Sequence, residues 1–281
     1  MIKRKLEELL FKILMILATI VVVGSFFLIV GTIFYKGIPF MNLDMVTKTP
    51  GGGFYIGKEG GVLNAIIGSL YIAGGATVLG LIISIPVAIY INLYIKGRKI
   101  TSDIIRMAFD VLFGIPSIVY GAFGFLIMVY FGIRASLLGG IIAVTLLVIP
   151  ILVRTLDEVI RTVPGELRDA ALSLGATRWE MAKVVLKQIR PGIYTAILLS
   201  FGRGIGDVAS VLFTAGFSDN IPTSLHEPAA TLPLAIFFQL GSPVEEVQGR
   251  AYASALILTL LVLVITVLSE IMIKKFSKHK I

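Results

Sequence analysis

Long apolar stretches recur along this chain, and they constrain its fold more than any other feature. A membrane-spanning helix needs about 20 mainly apolar residues to cross roughly 30 Å of hydrocarbon. Six stretches have this character and lie near residues 13–34, 66–94, 107–131, 137–153, 193–217 and 253–273. The sequence therefore predicts an all-α membrane protein with six transmembrane helices.

Composition supports this class and excludes several others. Of the 281 residues, 57% are hydrophobic and only 15% are charged, which is too apolar for an ordinary soluble domain. The chain has no cysteine and two histidines, which argues against disulfides and against zinc or iron–sulfur sites. The net charge of +8 indicates contact with anionic lipid headgroups, not with nucleic acid. Without repeats or a soluble segment, residues 1–281 are expected to form one transmembrane domain.

Positive charges predict the orientation of the spans. The N-terminus, the 95–106 loop, the 154–192 loop and the C-terminal tail hold 4, 4, 7 and 4 Lys and Arg residues, which is 19 of 25. The three opposite loops hold 3, 1 and 1, and Arg203 lies inside a span. Because positive residues accumulate on the cytoplasmic side, both termini and the 154–192 loop are predicted to be cytoplasmic in a cell-membrane protein.

One glycine-rich segment imitates a nucleotide site. Gly52–Lys58 reads G-x-x-x-x-G-K, but Glu59 follows where a phosphate loop needs Ser or Thr to hold magnesium. The charge pattern also places this segment outside the cell, away from ATP. We expect a glycine-rich external loop and no nucleotide, metal or other cofactor site on this chain.

The 154–192 loop has the pattern of two helices separated by a glycine. Pro164 is suited to a helix start, Glu166 complements the dipole of its first turn, and Gly175 is a typical stop. A second segment begins near Trp179, the only tryptophan. Two interpretations follow from these residues alone. The first helix docks into a groove of a cytoplasmic partner, or it rests on lipid headgroups as an interfacial helix.

A motif in this loop resembles a known family. The run DAALSLGATRW, residues 169–179, is similar to the E-A-A-x-x-x-G loop of ABC importer permeases, with Asp in place of the first Glu and without the later I-x-L-P. The resemblance implies the type I ABC importer permease fold, with a cytoplasmic coupling helix between spans 4 and 5. By this resemblance, the residues that couple the chain to its ATPase partner are Asp169, Ala170, Ala171, Gly175, Arg178 and Trp179.

A polar stripe interrupts the fifth predicted span. Arg203 lies about ten residues into it, hence roughly 15 Å deep, where an isolated charge costs about 2.5 kcal/mol or more. Asp207 is one helical turn further on, at pairing distance. On a continuous helix, Ser200, Ser210 and Thr214 share this face. Either Arg203 and Asp207 form a structural ion pair, or they line a pathway in which the arginine binds an oxyanion.

The same stretch resembles a narrower group. Residues 200–215, SFGRGIGDVASVLFTA, are similar to the R-x-x-G-E-T-A-x-x-L-F-T-A segment of the A-type permease of phosphate-specific ABC importers, with Asp207 for Glu and Val208 for Thr. By this resemblance Arg203 is needed for phosphate translocation, and Asp207, Ser200, Ser210 and Thr214 line the pathway with it. The chain would be a transport subunit and not an enzyme.

The resemblance also implies partners. They are a cytoplasmic ATPase dimer that uses ATP and magnesium, a second homologous permease and an external phosphate-binding protein, all within a lipid membrane. Three alternatives stay open from the residues. In the first, the cargo is another oxyanion such as sulfate or molybdate. In the second, the protein is an ATP-independent anion channel or carrier. In the third alternative it is an assembly subunit whose ion pair is structural.

Overall fold

The computed structural model describes residues 2–51, 59–95 and 99–277, and this part of the chain is almost entirely helical. A single isolated backbone bridge, between Pro50 and Gly60, is the only extended pairing within it. The helices are α1 (Ile2–Gly37), α2 (Leu43–Thr47), α3 (Leu63–Ile89), α4 (Lys99–Gly114), α5 (Ser117–Tyr130), α6 (Leu137–Arg161), α7 (Gly165–Ser173), α8 (Arg178–Gln188), α9 (Arg190–Ile205), α10 (Leu232–Leu240) and α11 (Glu245–Ser277). A 3₁₀ turn follows α1 at Ile38–Phe40, and a π-helix follows α3 at Tyr90–Tyr94.

Four described helices are long and apolar enough to cross a membrane. They correspond to Glu7–Phe40, Leu63–Tyr94, Leu137–Arg161 and Glu245–Ile271. The pair α4 and α5 satisfies the same requirement together, but the two helices are bent by 97° relative to each other. The described residues thus contain four or five candidate spans, and the prediction of a membrane-spanning helical protein is confirmed in this coarser form.

The third predicted span is broken at a proline. The sequence predicted one helix over 107–131, whereas α4 ends at Gly114 and α5 begins at Ser117. Pro116 lies at the junction with φ −58° and ψ 139°, outside the helical region. Its ring disfavours helical geometry at the preceding residue, and it has no N–H with which to continue the ladder. The break turns α4 away from the axis of α5.

The fifth predicted span, 193–217, is not one continuous helix. The helix α9 ends at Ile205, and residues 206–215 form consecutive tight turns, here called the turn segment. Glycines at 202, 204 and 206 weaken helix propensity at this point. The Asp207 carboxylate also accepts hydrogen bonds from the backbone N–H and the hydroxyl of Ser210, at 2.8 and 2.6 Å. Such local bonds compete with a helical ladder, so the chain turns where the sequence predicted a helix.

The fourth predicted span is longer than expected. The sequence predicted its end at residue 153, but α6 continues to Arg161. The Ser136 hydroxyl caps its start by accepting a hydrogen bond from the Gly139 N–H at 3.3 Å. The last two turns of α6 therefore carry Arg154, Asp157 and Glu158, which the sequence analysis counted as part of a loop.

The helices α3, α6 and α9 form the core that positions the functional residues. Their shared interface buries Ile72, Val144, Val148 and Ala196 almost completely. The helices α6 and α9 are antiparallel, because Gly192 near the start of α9 lies against Val159 near the end of α6. By contrast, α1 packs along α11 and leaves nearly all its apolar side chains exposed, as suits contact with lipid.

Close backbone contact holds the turn segment against α5. A Cβ atom placed on Gly121 would lie 2.6 Å from the Ala209 carbonyl oxygen, which is closer than real contacts permit. Small residues of this kind allow helices and backbone to approach in membrane proteins. The turn segment therefore depends on a glycine in a neighbouring helix.

Replacing Gly121 with alanine is expected to destabilise the protein by about 1–3 kcal/mol, because the added methyl group overpacks this contact. The measurement is the midpoint of thermal unfolding of the detergent-solubilised protein. Gly114→Ala is the matched control, since a Cβ atom there meets no heavy atom within 4 Å. Equal midpoints for the two variants would contradict the close contact.

Candidate functional site

The centre of the candidate site is an ion pair at the end of α9. Arg203 lies in the last turn of α9, about 20 Å along the helix from its first residue. Its Nη2 atom is 3.6 Å from Oδ1 of Asp207, and the two side chains are 49% and 4% exposed. At this separation the pair attracts without forming a short hydrogen bond. Asp207 is held instead by Ser210, so the carboxylate is fixed while the guanidinium remains accessible.

The accessible face of Arg203 lines a cavity of about 490 Å³ between α5, α6 and α9. Most of the wall is apolar, and its polar side chains are few. The residues around it are Leu112, Phe113, Ile115, Tyr120, Leu147, Ile151, Arg154, Thr155, Glu158, Leu199 and Arg203. An apolar wall with a few charged groups suits a small ion, because the wall screens charges less than water does.

The five residues of the predicted stripe do not all lie on this wall. Arg203 lines the cavity, whereas Ser200, Asp207, Ser210 and Thr214 are almost fully buried behind it. The Thr214 hydroxyl donates to the Ser210 carbonyl oxygen at 2.8 Å, and the buried Ser200 hydroxyl makes no hydrogen bond. The prediction of one polar helical face was wrong, because Asp207, Ser210 and Thr214 belong to the turn segment and not to α9.

A second group of charges, of which Arg154 and Glu158 line the same cavity, was missed by the sequence analysis. Arg154 of α6 has its Nη1 atom 2.7 Å from Oδ1 of Asp110 on α4 and its Nε atom 3.5 Å from Oε1 of Glu158. Its guanidinium also lies over the ring of Phe113, 5.7 Å from the ring centre. All three charged side chains are between 46% and 65% exposed, so this cluster is open to solvent or to a ligand.

A third, more enclosed cluster joins α4, the π-helix and α6. Arg106 donates to both carboxylate oxygens of Asp157, at 3.0 and 3.1 Å, and Asn92 donates to Asp157 at 2.7 Å. The Asp157 side chain is only 9% exposed. A π-helix places a side chain off the usual helical register, and here it directs Asn92 toward the carboxylate. This network fixes the three elements together.

One sequence signal was available for these clusters. Asp103, Arg106 and Asp110 recur at three- and four-residue spacing, which is typical of one polar helix face. That pattern predicts a helix with a charged side, but it does not indicate which distant residues the side meets. Arg154 and Asp157 meet it only because α6 extends past residue 153.

The loop between α6 and α9 contains the two helices that the sequence predicted. The helix α7 ends next to Gly175, whose φ of +80° is readily adopted only by glycine. Thr177 then caps α8, and its N–H and hydroxyl donate to the Glu180 carboxylate at 2.8 and 2.9 Å. These hydrogen bonds lower the pKa of Glu180 below its ordinary value. The turn between the helices is therefore well defined.

The residues predicted for coupling lie on the outside of this structure. Asp169, Ala170, Gly175, Arg178 and Trp179 are exposed, and Ala171 is partly exposed. Leu174 is 89% exposed, and Trp179 is 58% exposed. An apolar and small-residue surface of this kind is suited to contact with another protein or with headgroups. Within the chain, the Arg178 guanidinium lies over the ring of Tyr94, 5.6 Å from the ring centre.

No described residues form a metal centre. Among the residues for which the structure gives positions, no group of three or more His, Asp or Glu is placed to hold a metal ion. The G-x-x-x-x-G-K segment, residues 52–58, lies outside the described residues. The candidate site is described by the charged side chains along a cavity.

Charged residues along a cavity between long apolar helices are typical of membrane transport proteins. Residues 80–280 match the model of the family described as binding-protein-dependent transport system inner membrane component. The chain belongs to this family, which confirms the resemblance to ABC importer permeases.

Particular relatives are similar over nearly the whole chain. The phosphate transport system permease protein PstA of Pasteurella multocida is 36% identical over 98% of this chain and 97% of its own. PstA of Haemophilus influenzae is 34% identical over 92% and 90%, and PstA of Yersinia pestis is 38% identical over 87% and 82%.

A solved structure shares the fold. A chain of the methionine ABC transporter MetNI, crystallised in inward-facing conformations, superposes with a TM-score of 0.58 over 76% of this chain and 94% of its own. The two sequences are 17% identical, so this likeness concerns the fold alone. It shows that the helices adopt the type I ABC permease fold.

Proposed function

We propose that this chain is the permease subunit of an ATP-driven importer that moves inorganic phosphate across the cytoplasmic membrane. The observation that carries the proposal is the half-exposed Arg203 on the wall of a largely apolar cavity, in a chain whose relatives are named phosphate transport permeases. Arginine presents a planar fork of N–H donors that matches two oxygens of a phosphate.

Asp207 tunes this arginine. The carboxylate lies 3.6 Å from the guanidinium and is kept in place by Ser210, so it offsets part of the positive charge without occupying the donors. An isolated arginine in an apolar cavity would hold phosphate strongly. A nearby fixed carboxylate weakens that attraction, and the anion can leave after it has bound.

The exposed surface of α7 and its following turn supports a role in coupling. We infer that this helix docks into a cytoplasmic ATPase and transmits its closure to α6 and α9, which it connects. The coupling residues are Asp169, Ala170, Ala171, Gly175, Arg178 and Trp179. If α7 were instead an interfacial helix, these side chains would lie among the lipid headgroups without any protein partner.

The proposed membrane arrangement has six crossings in one domain. They are α1, α3, the bent pair α4 and α5, α6, α9 extended by the turn segment, and α11. The excess of positive charge places both termini and α7 in the cytoplasm. In this arrangement ATP and magnesium act on an ATPase dimer and not on this chain. A second homologous permease and an external phosphate-binding protein complete the importer.

The test is transport by the purified assembly in proteoliposomes. Co-purification from native membranes is expected to yield an ATPase and a second permease, and uptake of labelled phosphate should require internal ATP at the cytoplasmic face. Uptake that follows the anion gradient without ATP would instead indicate a channel or carrier. Stronger competition by sulfate or molybdate than by unlabelled phosphate would keep the importer class and change its cargo.

A further inference from the structure

We propose that Arg154 is a second anion-binding residue, to which phosphate passes from Arg203 before it leaves the protein. This inference rests on the proposed function. It adds a binding step to the route of the phosphate, near the C-terminal end of α6. The proposal is based on the positions of two arginines. Arg154 and Arg203 line the same cavity from different helices, and Arg154 also lines a second cavity.

The two cavities share Arg154. The larger one, of about 490 Å³, contains Arg203 and Arg154. A smaller one, of about 110 Å³, contains three arginines and three acidic residues, namely Arg106, Arg154, Arg161, Asp110, Asp157 and Glu158. Glu158 also lines both. An anion that leaves Arg203 therefore reaches Arg154 within one cavity.

The two arginines differ in depth along their helices. Arg203 lies about 20 Å from the start of α9, whereas Arg154 lies about 10 Å from the end of α6. Because α6 and α9 are antiparallel and these two ends adjoin, Arg154 is about 10 Å nearer to the α7 side. In the proposed orientation this direction leads to the cytoplasm.

The surroundings of Arg154 suit transient binding. Its partners Asp110 and Glu158 are more than half exposed, and it contacts Asp110 by a single short hydrogen bond. Arg106, in contrast, is held by both oxygens of the nearly buried Asp157. Arg106 is therefore committed to the structure, while Arg154 can exchange an acidic partner for a phosphate oxygen.

The same acidic partners limit how long the anion stays at Arg154. While phosphate is bound to Arg154, the neighbouring carboxylates of Asp110 and Glu158 repel the anion. Both carboxylates pair with Arg154 again when the phosphate leaves. Competition of this kind shortens residence at Arg154. The residue attracts the anion out of the apolar part of the cavity and then releases it.

The experiment compares three variants by ATP-dependent phosphate uptake in proteoliposomes of the complete importer, with subunit recovery as the measure of assembly. Arg154→Gln is expected to lower uptake about tenfold or more, because it removes charge-assisted hydrogen bonds to the anion. Asp110→Asn retains the arginine and removes only one competing carboxylate, so its uptake is expected to fall less than that of Arg154→Gln. Uptake by Arg154→Gln within twofold of the wild type would overturn the proposal, as would an equal loss in Asp110→Asn.

A charge exchange separates anion binding from a structural tie between α4 and α6. In the double variant Arg154→Asp with Asp110→Arg the ion pair is restored, but its cation moves to a position that lines only the smaller cavity. We expect assembly without recovery of uptake. Recovery of uptake to the wild-type level would show that Arg154 only links α4 to α6. That result would overturn the proposal even if Arg154→Gln alone fails to assemble.

Two further variants complete the comparison. Arg134→Gln removes an arginine from an exposed connection outside both cavities and is expected to leave uptake unchanged. Arg203→Gln, measured in parallel, separates the two proposals. Loss of uptake with Arg203→Gln but not with Arg154→Gln rejects the second binding residue alone, whereas normal uptake with Arg203→Gln rejects the proposed function of the site itself.

Discussion

Replacing Arg203 with glutamine is expected to abolish ATP-dependent phosphate uptake while the importer still assembles. The guanidinium can offer two N–H donors to one phosphate, and each hydrogen bond to a charged group contributes about 1.5–3 kcal/mol. Loss of both corresponds to about a hundredfold or greater fall in uptake. Assembly should persist, because the side chain is half exposed and Asp207 keeps its hydrogen bonds from Ser210.

The control for this variant is Arg134→Gln, which removes the same charge from an exposed connection. A double variant, Arg203→Gln with Asp207→Asn, removes the ion pair without changing net charge. If the pair were structural and the partner permease carried the anion, the double variant would transport phosphate. Transport at the wild-type rate by either variant would contradict the role of Arg203.

Replacing Gly175 with valine is expected to uncouple ATP hydrolysis from transport. The backbone at Gly175 has φ +80°, which a β-branched residue adopts only with strain of about 1–3 kcal/mol. A Cβ atom at this position meets no heavy atom within 4 Å, so the effect comes from the backbone and not from crowding. The turn between α7 and α8 should relax to another geometry and displace the docking surface.

The readouts for Gly175→Val are uptake and ATPase activity of the same proteoliposomes, together with competition by sulfate at the residual uptake rate. We expect uptake to fall about tenfold, in line with a strain of that size, with unchanged preference among anions. Gly165→Val is the matched control, since Gly165 also meets nothing within 4 Å and has no positive φ. Normal ATP-dependent uptake by Gly175→Val would reject coupling through this turn.

The relation between Arg203 and Asp207 shows how a prediction can reach the right pair by the wrong geometry. The four-residue spacing predicted an ion pair on a continuous helix, and the pair is present. It forms across the end of α9, because Asp207 is bound by Ser210 in the turn segment. Thr214 consequently lies in the turn segment and not on the helical face of Arg203, and Ser200 is buried within α9.

Local sequence was sufficient for the features that depend on neighbouring residues. Apolar runs of membrane-spanning length, the glycine between α7 and α8, and the motif that resembles ABC importer permeases can all be recognised without tertiary contacts. Helix length in a membrane and backbone conformation at Gly175 are local properties. The glycine turn and the family were predicted and are confirmed, and four or five of the six runs are candidate spans among the described residues.

Packing between distant segments decided the rest. Pro116 allows a break, but the 97° bend also depends on how α4 packs against α6. Arg154 meets Asp110, 44 residues away, and shares a cavity with Arg203, 49 residues away in the other direction. The sequence alone shows that these charged residues are flanked by apolar residues. Which charges face one another is determined by the relative placement of three helices, since their pairing energies depend on distances between side chains that only the assembled bundle brings together.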